Sequence, residues 1–164
     1  MADPIEKVPA EARWQMATKG LTGAVSAYSR TIRETMGDDK YLEFSSGVWG
    51  KAGEGAKQFA ESFGFSAKNA PELADLTEAF AMSILGPEFK TEYVESSKDK
   101  AVVKLTMCPW HERAKEMNTT PLCETGHLKW GESALKSLNP DFTYSITKSI
   151  TRGDSYCEMV IERK

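Results

Sequence analysis

The sequence predicts an α+β fold: N-terminal helices, then a roughly four-stranded antiparallel sheet with helices between its two hairpins. Three observations carry this. Apolar residues recur near a 3.6-residue period through the first half of the chain, β-prone runs begin only at Phe89, and those runs form two pairs that each bracket a polar turn.

Residues 1–10 hold two prolines and little pattern, and read as an N-terminal arm that is loose unless a partner subunit holds it; residues 11–164 read as one domain. From Ala12 to Met36 a proline-free stretch carries Met16, Leu21, Val25, Tyr28, Ile32 and Met36 at close to helical spacing. This predicts one long amphipathic helix. After Gly37-Asp38-Asp39 a second helical pattern runs through Tyr41, Phe44, Val48, Ala52, Phe59 and Phe63, loosened by glycines. Gly47, Gly50 and Gly53 stand at every third position, a spacing that lets another helix or a flat ligand approach the backbone. Asn69-Ala70-Pro71-Glu72 looks like a helix start, and Leu73, Leu76, Phe80 and Ile84 continue it to a stop at Gly86-Pro87.

Phe89–Glu95 and Ala101–Met107 then flank a polar turn, the first hairpin. Two helical stretches follow, near 109–117 and 121–138. Beyond Asn139-Pro140 the second hairpin has arms Phe142–Ile150 and Tyr156–Glu162, joined by Arg152-Gly153-Asp154-Ser155.

With 40% hydrophobic and 27% charged residues and a net charge of -3, the 164-residue chain has no electrostatic bias toward nucleic acid or anionic membranes. No apolar run is long enough to span a bilayer, and the first residues lack an apolar leader segment, so a cytoplasmic location is expected. Three cysteines in a reducing compartment are read as ligands, nucleophiles or small core residues rather than as a disulfide framework.

Both histidines and all three cysteines fall between Cys108 and Cys157. Cys108-Pro109-Trp110-His111 ends the second strand, and Cys123-Glu124-Thr125-Gly126-His127 opens the next helix. Two short Cys/His pairs of this kind can put Cys108, His111, Cys123 and His127 around one ion, with zinc or an iron–sulfur cluster as the guest. The same atoms support a nucleophilic reading. There a thiolate attacks an electrophilic carbon and His111 or His127 is the general base. Cys108 is best placed, because a helix N-terminus favours thiolate; Glu112 and Glu124 are the nearest carboxylates. Each residue also has a plainer reading: His111 on a helix surface, His127 on a helix face beside Trp130, Cys157 as a small core residue sharing strand parity with Met159 and Ile161. Alternatively Cys157 is a third thiol in the same cavity. Trp49, Trp110 and Trp130, with Phe59, Phe63 and Tyr93, are either plain core or the lining of an apolar ligand pocket, with Trp110, Trp130 and Cys157 holding the ligand.

Met107-Cys108-Pro109-Trp110, Leu122-Cys123, Asn139-Pro140-Asp141-Phe142 and Thr151-Arg152-Gly153-Asp154-Ser155-Tyr156-Cys157 resemble the L-2-amino-thiazoline-4-carboxylic acid hydrolase-like family. Gly153-Asp154-x-x-Cys157 is also similar to the closing hairpin of the 4-vinyl reductase small-molecule-binding domain. The resemblance covers about two fifths of the chain. It implies an α+β ligand-binding module and, for the first family, hydrolysis of a cyclic C=N or C–S bond. The Gly-Asp pair also has a purely structural reading as a tight turn. Where the family places an acidic residue after the second cysteine, this chain has Gly126-His127, which favours ligation over acid/base work.

Two functions follow as expectations. One is a small-molecule hydrolase using the Cys/His cluster as metal site or nucleophile. The other is a non-catalytic module binding a small ligand, a metal or a cluster. In a third reading the cysteines are core and the long first helix forms a homodimer.

Overall fold

The computed structural model describes residues 3–117 and 122–164. Asp3 caps a 3-10 turn, Pro4–Lys7, through its carboxylate and the Ile5 N–H. Six helices follow in order with four strands: α1 (Ala10–Met36), α2 (Asp38–Gly53), α3 (Ala56–Phe63), α4 (Ala70–Leu85), β1 (Lys90–Ser96), β2 (Lys100–Met107), α5 (Pro109–Glu116), α6 (Cys123–Leu138), β3 (Phe142–Lys148) and β4 (Cys157–Arg163). The chain is α+β as the sequence predicts, and its sheet is fully antiparallel in the order β1-β2-β4-β3. Placing β4 beside β2 joins the two hairpins, so the last strand of the chain lies inside the sheet.

One sheet face is buried. Ala101, Val103 and Leu105 of β2, Phe142 and Tyr144 of β3, and Met159 and Ile161 of β4 point to the helices at alternate positions. Ala70, Leu73 and Ala74 of α4 and Leu135 of α6 close the core against them. The expected start of α4 is present. Asn69 Oδ1 accepts the Glu72 N–H at 3.0 Å, and Asn69 Nδ2 donates to Glu72 Oε1 at 2.8 Å. Gly86, with φ of 109°, ends the helix.

Two expectations are corrected. The second helical pattern is two helices, broken at Glu54-Gly55. Of the three spaced glycines, only Gly53 meets a neighbour. A Cβ there would sit 2.4 Å from the Trp130 carbonyl oxygen, whereas Gly47 and Gly50 face open space. The larger correction concerns α1. Its expected inward set is mostly outside: Met16, Leu21, Tyr28 and Met36 are exposed, and the buried residues are Thr18, Thr22 and Ser26. The threonine hydroxyls bond to carbonyls of their own helix, Thr18 Oγ1 to Trp14 and Thr22 Oγ1 to Thr18, both at 2.9 Å, so burying them leaves no unsatisfied donor there. Their small size lets Gly86 approach, where a Cβ would lie 2.6 Å from Thr18 Oγ1. Among the described residues no helix is long and apolar enough to cross a membrane.

Candidate functional site

Between the helical layer and the inner sheet face lies a cavity of about 130 Å³. Its floor is sheet: Thr91, Val103, Leu105, Tyr144, Met159 and Ile161. One wall is α4, through Ala74, Phe80, Ala81 and Ile84 among others. The opposite wall is built by α6, which contributes Cys123, His127 and Trp130. Those three are spaced four and three residues apart, the spacing that puts side chains on one helix face. Trp49 from α2, with Cys108 and Trp110 at the start of α5, complete the enclosure.

Glycines bring these walls together. A Cβ on Gly126 would lie 2.5 Å from Trp49 Cδ1, one on Gly131 would lie 2.2 Å from Tyr144 Cδ1, and Gly53 admits the backbone of α6 at Trp130. Glycine inside a helix costs up to about 1 kcal/mol, so each of these marks a place where packing outweighs propensity. Trp49 and Trp110 then meet at a ring separation of 5.0 Å, and Phe80 and Trp130 at 5.1 Å.

The polar equipment is sparse. Tyr144 Oη lies 2.8 Å from His127 Nε2. Burial pushes the imidazole down to about 4 and the phenol well above its ordinary value, so both groups are neutral at pH 7. Cys123 is pushed up to about 12 by burial and by the neighbouring Cys108 and Cys157. Cys108 occupies the N-cap position of α5 without a side-chain cap bond; the Trp110 and His111 N–H groups favour its thiolate, but burial outweighs them and raises its pKa. The helix-terminus effect expected at Cys108 is therefore present and overridden. Among the described residues Glu78 is the only carboxylate on the cavity wall, and no lysine or arginine lines it.

The remaining candidates lie elsewhere. His111 is outside the lining; its Nδ1 is buried without a partner among the described residues, and burial followed by the nearby Lys115 charge lowers its pKa. Cys157 packs beside the core and its Sγ accepts the Ile150 N–H at 3.4 Å. Glu112 pairs with Lys115, while Glu124 accepts from Thr151 Oγ1 at 3.3 Å and pairs with Arg152, tying α6 to the second hairpin. Among the described residues no three His, Cys, Asp or Glu side chains converge as a metal site, and all three cysteines are free. The expected four-ligand convergence of Cys108, His111, Cys123 and His127 is thus not formed. Cys108, Cys123 and His127 share the cavity, but His127 spends Nε2 on Tyr144 and His111 stands outside. The zinc or iron–sulfur guest fits this donor arrangement poorly.

Of the aromatic set, Trp49, Trp110 and Trp130 line the cavity. Phe59 stacks among Phe63, Phe65 and Phe80, and Tyr93 donates to Asp75 Oδ1 at 2.7 Å. Tyr144 and Glu78 were not singled out from sequence, and Phe80 was read only as part of the helical pattern of α4. Tyr144 carried a signal in its strand parity with Phe142 and in the helix-interior glycine that receives it. The Gly-Asp-x-x-Cys signature has a structural role here. Gly153 adopts φ of 97°, Asp154 Oδ2 accepts the Ser149 N–H at 2.8 Å, and Cys157 holds Ile150, so the three residues fix the hairpin loop.

Fold and site together define a helix-covered antiparallel α+β module with a small apolar cavity. The chain belongs to the L-2-amino-thiazoline-4-carboxylic acid hydrolase family, whose model matches residues 19–161. Among solved structures it is similar to the phenol-responsive sensory domain of the transcription activator PoxR with phenol (TM-score 0.64, 9% identity, 87% of this chain and 74% of that one). It is likewise similar to trafficking protein particle complex subunit 3 from Naegleria fowleri covalently bound to palmitic acid (TM-score 0.64, 12% identity, 91% and 96% coverage). No curated protein sequence matches it.

Proposed function

We propose that this protein binds a small, flat, uncharged molecule in the cavity between α4, α6 and the sheet, with the His127–Tyr144 couple meeting the ligand's single polar group. The carrying observation is a cavity of about 130 Å³ walled by three tryptophans and holding one neutral polar couple. A dry cavity of roughly 150 Å³ suffices for benzene. Apolar walls reward a ring, while an anionic ligand would meet no lysine or arginine on the described lining and lose its hydration. The similarity to a domain whose structure holds phenol supports a ligand of this size. The carboxylate of the compound in the family's name would find no lysine or arginine on this wall.

The test is titration with phenol and with benzoate, read by tryptophan fluorescence and calorimetry. Saturable phenol binding, benzoate at least tenfold weaker, and loss of most phenol affinity in Tyr144→Phe and His127→Phe are expected. Equal or tighter benzoate binding, or no binding of any neutral single-ring compound, would overturn the reading.

Family membership favours a second reading, hydrolysis. Cys108 or Cys123 would add to the ring C=N carbon while His127 takes the thiol proton and returns it to the ring nitrogen that receives the C=N electron pair, and water would then displace the sulfur, a sequence that needs His127 released from Tyr144. Turnover of L-2-amino-thiazoline-4-carboxylic acid that disappears in Cys108→Ser or Cys123→Ser would establish it over simple binding.

A further inference from the structure

Helix α4 turns one charged residue toward the sheet. Ala74, Glu78, Ala81 and Leu85 follow at spacings of 4, 3 and 4, which puts them on one helix face, and all four line the cavity. Glu78 stands between two alanines too short to cover its carboxylate. It is half-buried and has no hydrogen bond or ion pair among the described residues. A neighbouring proton is spent elsewhere. Tyr93 of β1 donates to Asp75 Oδ1 at 2.7 Å, and burial, Asp75 and then Glu78 push its phenol up, so the Glu78 charge sits near a hydroxyl that does not serve it. Thr77 and Thr91 share this wall with Glu78. Thr77 Oγ1 donates to Ala74 O at 2.9 Å, so toward the cavity it can only accept. This side of the cavity carries acceptors and calls for a donor.

The His127–Tyr144 couple lies across the sheet from it. Tyr144 is on β3, while Thr91 and Tyr93 are on β1, and these strands are the two edges of the sheet, three strand spacings or about 14 Å apart at the backbone. A single ring hydrogen-bonded at the couple leaves Glu78 unmet. An arm ending in a donor is what would span the two.

We propose that Glu78 is a second ligand-binding residue, and that besides uncharged rings the cavity takes a phenol bearing a short aminoalkyl arm, its ammonium hydrogen-bonded to Glu78. The inference rests on the binding reading above, which seats the ring among the tryptophans with its hydroxyl at His127 and Tyr144. No lysine or arginine on the described lining opposes the ammonium, and the Thr77 and Thr91 hydroxyls can accept its remaining hydrogens. Because Glu78 keeps part of its hydration, pairing there costs less than burying a charge in the core, and a charge-assisted bond is stronger than a neutral one. A carboxylate on the same arm would be repelled.

Calorimetric titration of the full chain at pH 7 with tyramine and with 4-propylphenol, its uncharged counterpart of equal arm length, isolates the effect of the amine. Tyramine is expected to bind more tightly than 4-propylphenol. Glu78→Gln, with unchanged circular dichroism, should cut the ratio of the two affinities at least tenfold. Glu78→Lys should reverse the ratio and make 4-hydroxyphenylacetate the tighter ligand. Tyr144→Phe should weaken tyramine and 4-propylphenol alike and leave the ratio in place. If phenol and 4-propylphenol bind but tyramine binds no more tightly, or the ratio is indifferent to Glu78→Gln, this inference is overturned and the uncharged-ring reading stands. If neither uncharged phenol binds, that reading falls; tyramine binding lost in Glu78→Gln would then still support Glu78 as a binding residue, and no binding of any of the three would sink both.

Discussion

Helices α1 and α6 carry the same helical periodicity and put it to opposite uses. α6 buries Trp130, Ala134 and Leu135, and its two glycines, Gly126 and Gly131, take Trp49 and Tyr144 directly onto its backbone. α1 buries two threonines and a serine, turns Leu21 and Tyr28 to solvent, and its glycines Gly20 and Gly23 touch nothing within 4 Å. Hydrophobic periodicity shows that a helix has two faces; it does not say which one meets the rest of the chain. Side-chain size settles that. Where a neighbour must come close, as Gly86 does at Thr18, a small residue whose hydroxyl is satisfied by its own helix wins over a larger apolar one.

The sharpest way to break this contrast is to truncate one leucine on each helix. Leu135→Ala, at a site 1% exposed, should cost about 3 kcal/mol, and Leu21→Ala should change the stability of the isolated chain by about 0.5 kcal/mol or less. Urea titration at a concentration where both variants are monomeric reads the difference; equal losses would mean that α1 packs on its apolar side.

Acid should expose the next difference. His127 on α6 is held down to about 4, whereas a histidine in the unfolded chain titrates near 6.5. The unfolded chain therefore takes up its proton first as pH falls. The stabilisation is complete above about pH 6.5 and shrinks by about 3 kcal/mol as pH falls to 4. His127→Phe should flatten that part of the pH–stability curve, and parallel curves for parent and variant would remove His127 from the account.

The glycines give the smallest effects, with opposite signs. Gly131→Ala should cost about 1–3 kcal/mol, because its Cβ would fall 2.2 Å from the Tyr144 ring. Gly20→Ala and Gly23→Ala should each raise stability by about 0.5–1 kcal/mol, since the methyl meets nothing and the helix gains propensity. Thermal melts of the three variants would reveal either helix behaving like the other.

Much of the fold could be read locally. The Asn69 cap, the Gly86 stop and the Gly-Asp turn are signals a few residues long, and the structure uses each of them as expected. The candidate site was legible in part. Cys108, Cys123 and His127 were named from sequence and share one cavity, and Trp49, Trp110 and Trp130 line it. His111 follows Cys108 by three residues yet is not on the cavity wall, because α5 begins at Pro109 and its turn carries the imidazole off the wall. Short spacing in sequence thus failed as a guide to ligation. Tyr144 escaped notice because its partner, His127, is 17 positions away and no local pattern joins a strand tyrosine to a helix histidine.

The sequence by itself determined the kinds of element and their general order, and the ends that carry a cap, stop or turn, because those signals are written in neighbouring residues; it did not show the break at Glu54-Gly55. Only the tertiary structure decided which face of α1 is inside, that β4 sits next to β2, and that two thiols and a histidine lie neutral in one apolar cavity. Those outcomes depend on close approach and on burial, and both are set by residues far apart in the chain: Gly131 receiving Tyr144, Gly126 receiving Trp49, and desolvation overriding the helix terminus at Cys108.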